Sequence, residues 1–238
     1  MAFQTKTDPW GITGTGKYLT LVSVTDNKSG SVSEARNEKG DVVATTIYGI
    51  QYAPLYEYKV SGSGNLAIPK FGAPVTTTMA DGTSVKLFMT NWALNTGAGS
   101  ETTFSITAGS IPSTVTAICP YQIDCGEVEI GPCQHAKLLF SCATLGGTGC
   151  YLQTANYAGS CTLGRPTKDG DAIAAGVTDG RITAALTILQ TGTTAPTLAS
   201  LGTGWEVTSP LTCTNPDATN ATWTATLTKY LAAAAAST

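Results

Sequence analysis

Short runs in which apolar and polar residues alternate, each closed by a cluster of turn formers, recur from end to end of this chain, and they predict β structure throughout. Tyr18-Leu19-Thr20-Leu21-Val22-Ser23-Val24 reads as a strand that stops at Asp26-Asn27-Lys28-Ser29-Gly30. Residues 31–37 and the β-branched run 42–48 flank Glu38-Lys39-Gly40-Asp41, the pattern of a hairpin. In Leu55-Tyr56-Glu57-Tyr58-Lys59-Val60 apolar and charged residues alternate with period two, so Tyr56, Tyr58 and Val60 share one face of a half-buried strand. Residues 84–89 and 102–107 supply further strands, and 184–189, 205–208 and 221–228 continue the scheme. Segments 126–130 and 136–141 are two more candidates between these groups. Little helix is expected: 172–176 and the alanine-rich 232–236 have helical composition but no sustained apolar periodicity.

The chain also repeats itself. Gly14-Thr15-Gly16-Lys17-Tyr18-Leu19 returns as Gly147-Thr148-Gly149-Cys150-Tyr151-Leu152, and Lys39-Gly40-Asp41-Val42-Val43-Ala44 answers to Asp169-Gly170-Asp171-Ala172-Ile173-Ala174. Asp81-Gly82-Thr83 and Asn95 fall opposite Leu201-Gly202-Thr203 and Asn215, with Phe104-Ser105 near Trp223-Thr224. Collinear anchors of this kind indicate a duplicated unit whose second copy has shortened loops. They divide the chain into a first β domain over 11–112, an inserted β connection over 113–145, a second β domain over 146–232 and a tail over 233–238.

Composition suits folded domains of ordinary size. Of 238 residues 42% are hydrophobic and only 12% charged, with 26 glycines and none of the charge or proline bias of a disordered chain. No apolar run approaches a membrane-spanning length, and Met1 to Trp10 do not resemble a secretory leader. A formal charge of −3, with no basic stripe, argues against sequence-specific nucleic-acid binding but suits a surface past which nucleic acid slides. The 7 cysteines all lie beyond residue 118, have no counterparts in the first copy, and are expected mostly as reduced thiols.

Candidate chemistry is sparse. Gly11-Ile12-Thr13-Gly14-Thr15-Gly16-Lys17 has phosphate-loop spacing, but Tyr18 replaces the magnesium-binding Ser or Thr and a strand follows where a helix belongs. Cys133, His135 and Cys142 are spaced poorly for zinc, and the acidic 169–171 turn lacks a calcium-loop pattern. His135 is the single histidine, no nucleophile elbow accompanies any serine, and Glu127 with Glu129 fits a solvated strand face. The expectation is a protein without catalytic residues, cofactor or metal. Asn27-Lys28-Ser29 and Asn220-Ala221-Thr222 fit the glycosylation pattern, which matters only in a secreted chain.

The order of strand, 31–37, 38–44, 55–60, Asn95 and Phe104-Ser105-Ile106 resembles the tail-tube-like structural proteins of tailed bacteriophages, as does the segment from Trp205-Glu206-Val207 to Trp223-Thr224-Ala225-Thr226-Leu227. That resemblance implies two tandem β-sandwich or barrel domains. It implies rings that stack into a genome-conducting tube or form a tube-end adaptor or hub, in the tail of a virion assembled in the host cytoplasm. Partners would be further copies of the chain, as a trimer with pseudo-sixfold symmetry or a hexamer, other tail proteins, and DNA in non-specific passage. Assembly and lumen residues are then expected on 42–48 and 55–60, on their counterparts 172–178 and 184–189, and in polar loops: Asn27, Lys28, Val42, Val43, Tyr56, Tyr58, Asp81, Ile173, Leu186 and Asp217. The competing expectation is a virion decoration, fibre or carbohydrate-binding β-sandwich module presenting Trp92, Trp205 or loop tyrosines.

Overall fold

The computed structural model describes residues 7–13, 18–60, 62–97, 101–130, 142–214 and 220–235, and every regular element among them is a strand. In the first half of the chain these are β1 (Leu19–Thr25), β2 (Lys28–Arg36), β3 (Val42–Tyr52), β4 (Leu55–Val60), β5 (Gly64–Ala67), β6 (Val75–Thr78), β7 (Ser84–Gly97) and β8 (Thr103–Pro112). The middle holds β9 (Ala117–Ile118), β10 (Tyr121–Ile123), β11 (Glu127–Ile130) and β12 (Ala143–Gly146). The rest comprises β13 (Cys150–Gly164), β14 (Thr167–Lys168), β15 (Asp171–Ala172), β16 (Ala174–Gln190), β17 (Thr197–Leu201), β18 (Trp205–Cys213), β19 (Ala221–Tyr230) and β20 (Ala233–Ala235). Neither helical candidate forms a helix among the described residues: the first falls in β15 and β16, and Ala233–Ala235 of the second form β20. Strand pairing outweighs a weak local preference there. The 136–141 strand candidate lies outside the described residues.

One large sheet runs in the order β1-β4-β8-β7-β13-β16-β19-β18, all antiparallel, with small two-stranded sheets around it. Its two faces follow from the alternation in the sequence. One row of partners reads Leu21, Tyr58, Phe104, Leu94, Tyr157, Ala184, Leu227, Val207, strand by strand, and all but the terminal Val207, which is exposed, pack in the core. The neighbouring row reads Thr20, Lys59, Thr103, Asn95, Asn156, Ala185, Thr226, Ser209 and faces outward. Bulges at Val22, Thr90 and Gln153 reset the phase, so Leu19 and Val24, Met89 and Trp92, and Leu152 and Ala155 all turn to the core side although their spacing is not even. Leu66, Ile68, Phe71, Ile123 and Val128, from the short strands and their connections, cover that face.

The repeat is visible in hydrogen-bond register. The first four strands of the path are ordered by sequence as first, second, fourth and third, and so are the last four. β13 matches β1 and β2 joined end to end, and β16 matches β3 and β4: Leu21↔Tyr58 corresponds to Leu152↔Ile188, and Val32↔Ile47 to Leu163↔Val177. Bulges at Val22 and Gly30 recur at Gln153 and Cys161. The left-handed residue Gly49 (φ 62) recurs as Asp179 (φ 57), and the hairpin tips carry Gly40 (φ 86) and Gly170 (φ 90). Lys39-Gly40-Asp41 and Asp169-Gly170-Asp171 therefore occupy the same hairpin tip and share a left-handed glycine, but the second turn is one residue tighter and Asp169 (φ 53) is left-handed as well. In the remaining strands Phe104↔Leu94 corresponds to Trp223↔Cys213, which makes Thr214 the counterpart of Asn95; Asn215 lies outside the described residues.

Candidate assembly surface

The two halves meet at a seam where β7 pairs β13 from Asn91↔Ser160 to Gly97↔Thr154. The seam is closely packed. Gly159 lies under the Trp92 indole, and a Cβ there would sit 2.0 Å from Nε1. Beyond it, the β13–β16 hairpin crosses the end of β7 and β8: Leu163 presses on Gly109, and Arg165 Nη1 donates to the Ser110 carbonyl at 3.1 Å. Burial lowers the pKa of that guanidinium, which remains protonated. Leu163, Ala172 and Ala175 of the second half here form a separate apolar cluster with Phe88 and Ile111 of the first. Val177 lands on Gly72, and the Gly170 tip rests against the Tyr48 ring.

At the two ends of the sheet the same positions are uncovered. β1 and β18 each have a single neighbour in the path. The β2–β3 hairpin, counterpart of the arm that crosses the seam, is exposed along the whole of β2 and most of β3. Val32 and Ile47 are 58% and 61% exposed where their counterparts Leu163 and Val177 are packed. At the far end Tyr230 is 64% exposed and Val207 41%, against 1% and 0% for their counterparts Ile111 and Met89. Apolar side chains are thus left bare at the two ends, in the positions that the seam covers.

Asn27, Lys28 and Asp81 come together at the root of the exposed arm. Lys28 Nζ bonds Asp81 at 2.6 Å and lies 5.4 Å from the centre of the Tyr52 ring, while Tyr52 Oη donates to the same carboxylate at 2.7 Å. Hydrogen bonds from Lys28, Tyr52 and Thr83 hold the Asp81 carboxyl well below the usual range. Asn27 binds Ala53 through both backbone and side chain. Val42, Val43 and Ile173 are exposed near the hairpin tips. Tyr56, Tyr58 and Leu186 are in the core, at 4%, 1% and 2% exposure. Their period-two partners Glu57, Lys59 and Thr187 take the open face. Trp10 packs edge-on to Tyr56 with centroids 5.0 Å apart, and Asp8 accepts from Tyr58 Oη at 3.1 Å. Asp217 lies outside the described residues.

The other sequence candidates fall partly within the described residues. Tyr18 leads directly into β1 with no helix, and Gly14–Lys17 of the glycine-rich loop lie outside the described residues, as do Cys133 and His135. Glu127 and Glu129 belong to β11, paired with β5. Among the described residues no group of three potential metal ligands occurs. Trp92 and Trp205 are 1% and 5% exposed, so neither offers a platform to a glycan. Val32, Glu34 and Lys229 escaped sequence reasoning, whereas Ile47 falls within the 42–48 run expected there. Their signal is that the repeat matches Val32 to Leu163 and Ile47 to Val177, but only the seam distinguishes covered from bare.

Cys125 and Cys161 are unpaired, and burial pushes both thiols up to about 12. Each stays protonated in the fold, so alkylation by iodoacetamide at about pH 8 is expected to spare both until urea unfolds the chain, as read by peptide mass spectrometry. A folded pKa above the ordinary 9.0 means that their contribution to stability is whole below that value and is lost as pH rises toward 12. Urea midpoints measured at about pH 8 and pH 10.5 check the sign.

The outward face of the large sheet offers small polar groups, among them Thr103, Asn95, Asn156 and Thr226, with Glu57 bound to Ser23 and Lys59 bound to Glu101. Among the described residues it has neither a basic stripe nor an aromatic ladder of the kind that holds nucleic acid. Neither a family model nor a curated protein matches this sequence.

Proposed function

We propose that the chain is a structural subunit that joins copies of itself into closed rings, as the tail-tube-like proteins of tailed bacteriophages do, and that it acts in a virion tail as a tube, adaptor or hub ring. The observation that carries this reading is the sheet itself: two halves of equal strand order, joined edge to edge by β7 and β13, with β18 and, beyond the Thr13 bridge at Leu19, β1 at its ends. A heterologous contact repeated in one direction closes a ring or grows a filament, so the internal seam supplies the template for the contact between chains. Under this reading each half is one tandem tail-tube-like domain, and three chains make a ring of six such domains. The outward face, small and weakly charged, then lines a channel through which DNA passes without sticking.

Two features restrain this polymerisation. Pro210 in β18 removes a donor from that edge, and the adjoining register shifts break its regularity, so β18 is a poor template for arbitrary strands. Assembly in the host cytoplasm with other tail proteins as initiators suits such an edge. Electron microscopy and sedimentation velocity of the chain across a concentration series test the reading. Rings or tubes with a central hole are expected, and a monomer that persists at every concentration, alone and with tail initiators, overturns it.

A further inference from the structure

We propose, resting on the ring reading above, that the β2–β3 arm of one copy lies across the β18–β19 end of the next in the register of the internal seam, with Glu34 on Lys229. The correspondence of strand pairs defines this surface residue by residue. Arg165↔Glu34 follows from the hairpin register, since Leu163 matches Val32. Ser110↔Lys229 follows from the other strands: Ser110 pairs Leu87 and abuts Tyr52, and Lys229 pairs Trp205 and Ile182. Where the seam sets a cationic arm residue on a neutral strand, the open ends set an anionic arm residue on a cationic one.

The apolar contacts carry over as well. Val32 and Ile47 on the arm meet the end that bears Tyr230 and Val207, all four more than 40% exposed in the single chain. Volume is exchanged in the same sense: the seam sets Gly159 under Trp92, whereas the open ends set Lys28, the counterpart of Gly159, beside the bulge at Pro210. The partner is therefore a second copy of this chain, because the bare residues at one end match covered positions of the other. Glu34 is held meanwhile by Arg36 at 2.6 Å, an exposed pair that is cheaply exchanged on docking.

Charge reversal separates this register from the ring reading. Glu34→Lys and Lys229→Glu each place like charges in contact, and each is expected to raise the concentration needed for assembly by about tenfold; the double variant is expected to return within about threefold of the unaltered chain. Val32→Lys is expected to block assembly while leaving the thermal midpoint of the monomer unchanged. Mass photometry gives the oligomer distribution, and far-UV circular dichroism verifies the fold of each variant. Rings that form normally with either reversal, a double variant as defective as both singles together, or rings formed by Val32→Lys overturn the register and leave the ring reading standing. Failure of the unaltered chain to assemble overturns both.

Discussion

Replacing Gly159 by valine is expected to destabilise the folded chain by about 3 kcal/mol, or to prevent folding, in urea titrations followed by far-UV circular dichroism. The added Cβ alone would lie 2.0 Å from Trp92 Nε1, and Trp92, 1% exposed within the core and flanked by the Phe104 ring at 6.2 Å, has little space to withdraw. Trp92→Ala is expected to cost about 3–5 kcal/mol through the opposite fault, a cavity at the same place. The two faults are complementary, so Trp92→Ala combined with Gly159→Leu should lose clearly less than the sum of its parts, a coupling that contact across the seam requires. Additive losses, or single losses below about 0.5 kcal/mol, would show that the halves do not depend on this packing.

The second large effect is on assembly. Replacing residues 33–46 by Asn-Gly joins Val32 to Ile47 through a two-residue turn, and the shortened chain is expected to keep its thermal midpoint within about 2 °C while forming no rings. The excised part of the arm is exposed throughout and contributes nothing to either core cluster. The equivalent excision in the second half, 164–176 by Asn-Gly, removes Arg165 from Ser110 and Ala175 from Phe88, and it should lower the midpoint substantially. Hairpins of one topology are thus expected to give opposite results, because one is packed within the chain and the other is exposed. An armless chain that forms rings at the unaltered concentration would remove the arm from the assembly surface.

Much of this organisation is legible in local chemistry. The hairpin tips at Gly40 and Gly170 declare themselves because a left-handed turn residue is a local demand, met by glycine whatever the surrounding fold. The alternation in 55–60 likewise identifies Tyr56 and Tyr58 as one face, although alternation alone does not say whether that face meets a core or a lumen. They meet the core, and Glu57 and Lys59 take the open side. The Asn95 and Asn215 match misses the register by one residue, since strands that shift register in β18 slide sequence similarity against spatial position.

Taken alone, the order of residues specifies β strands, their turns and a collinear repeat, all of which depend on neighbours a few positions apart. Which strands lie side by side depends on contacts across the chain. The pairing of β7 with β13, the fit of Gly159 beneath Trp92 and the docking of the second hairpin bring together residues from separate halves. Sequence similarity makes the two arms alike. Packing makes one part of the core and leaves the other bare, because a sheet built of two like units covers each junction inside the chain and presents the unmatched half of that junction at either end.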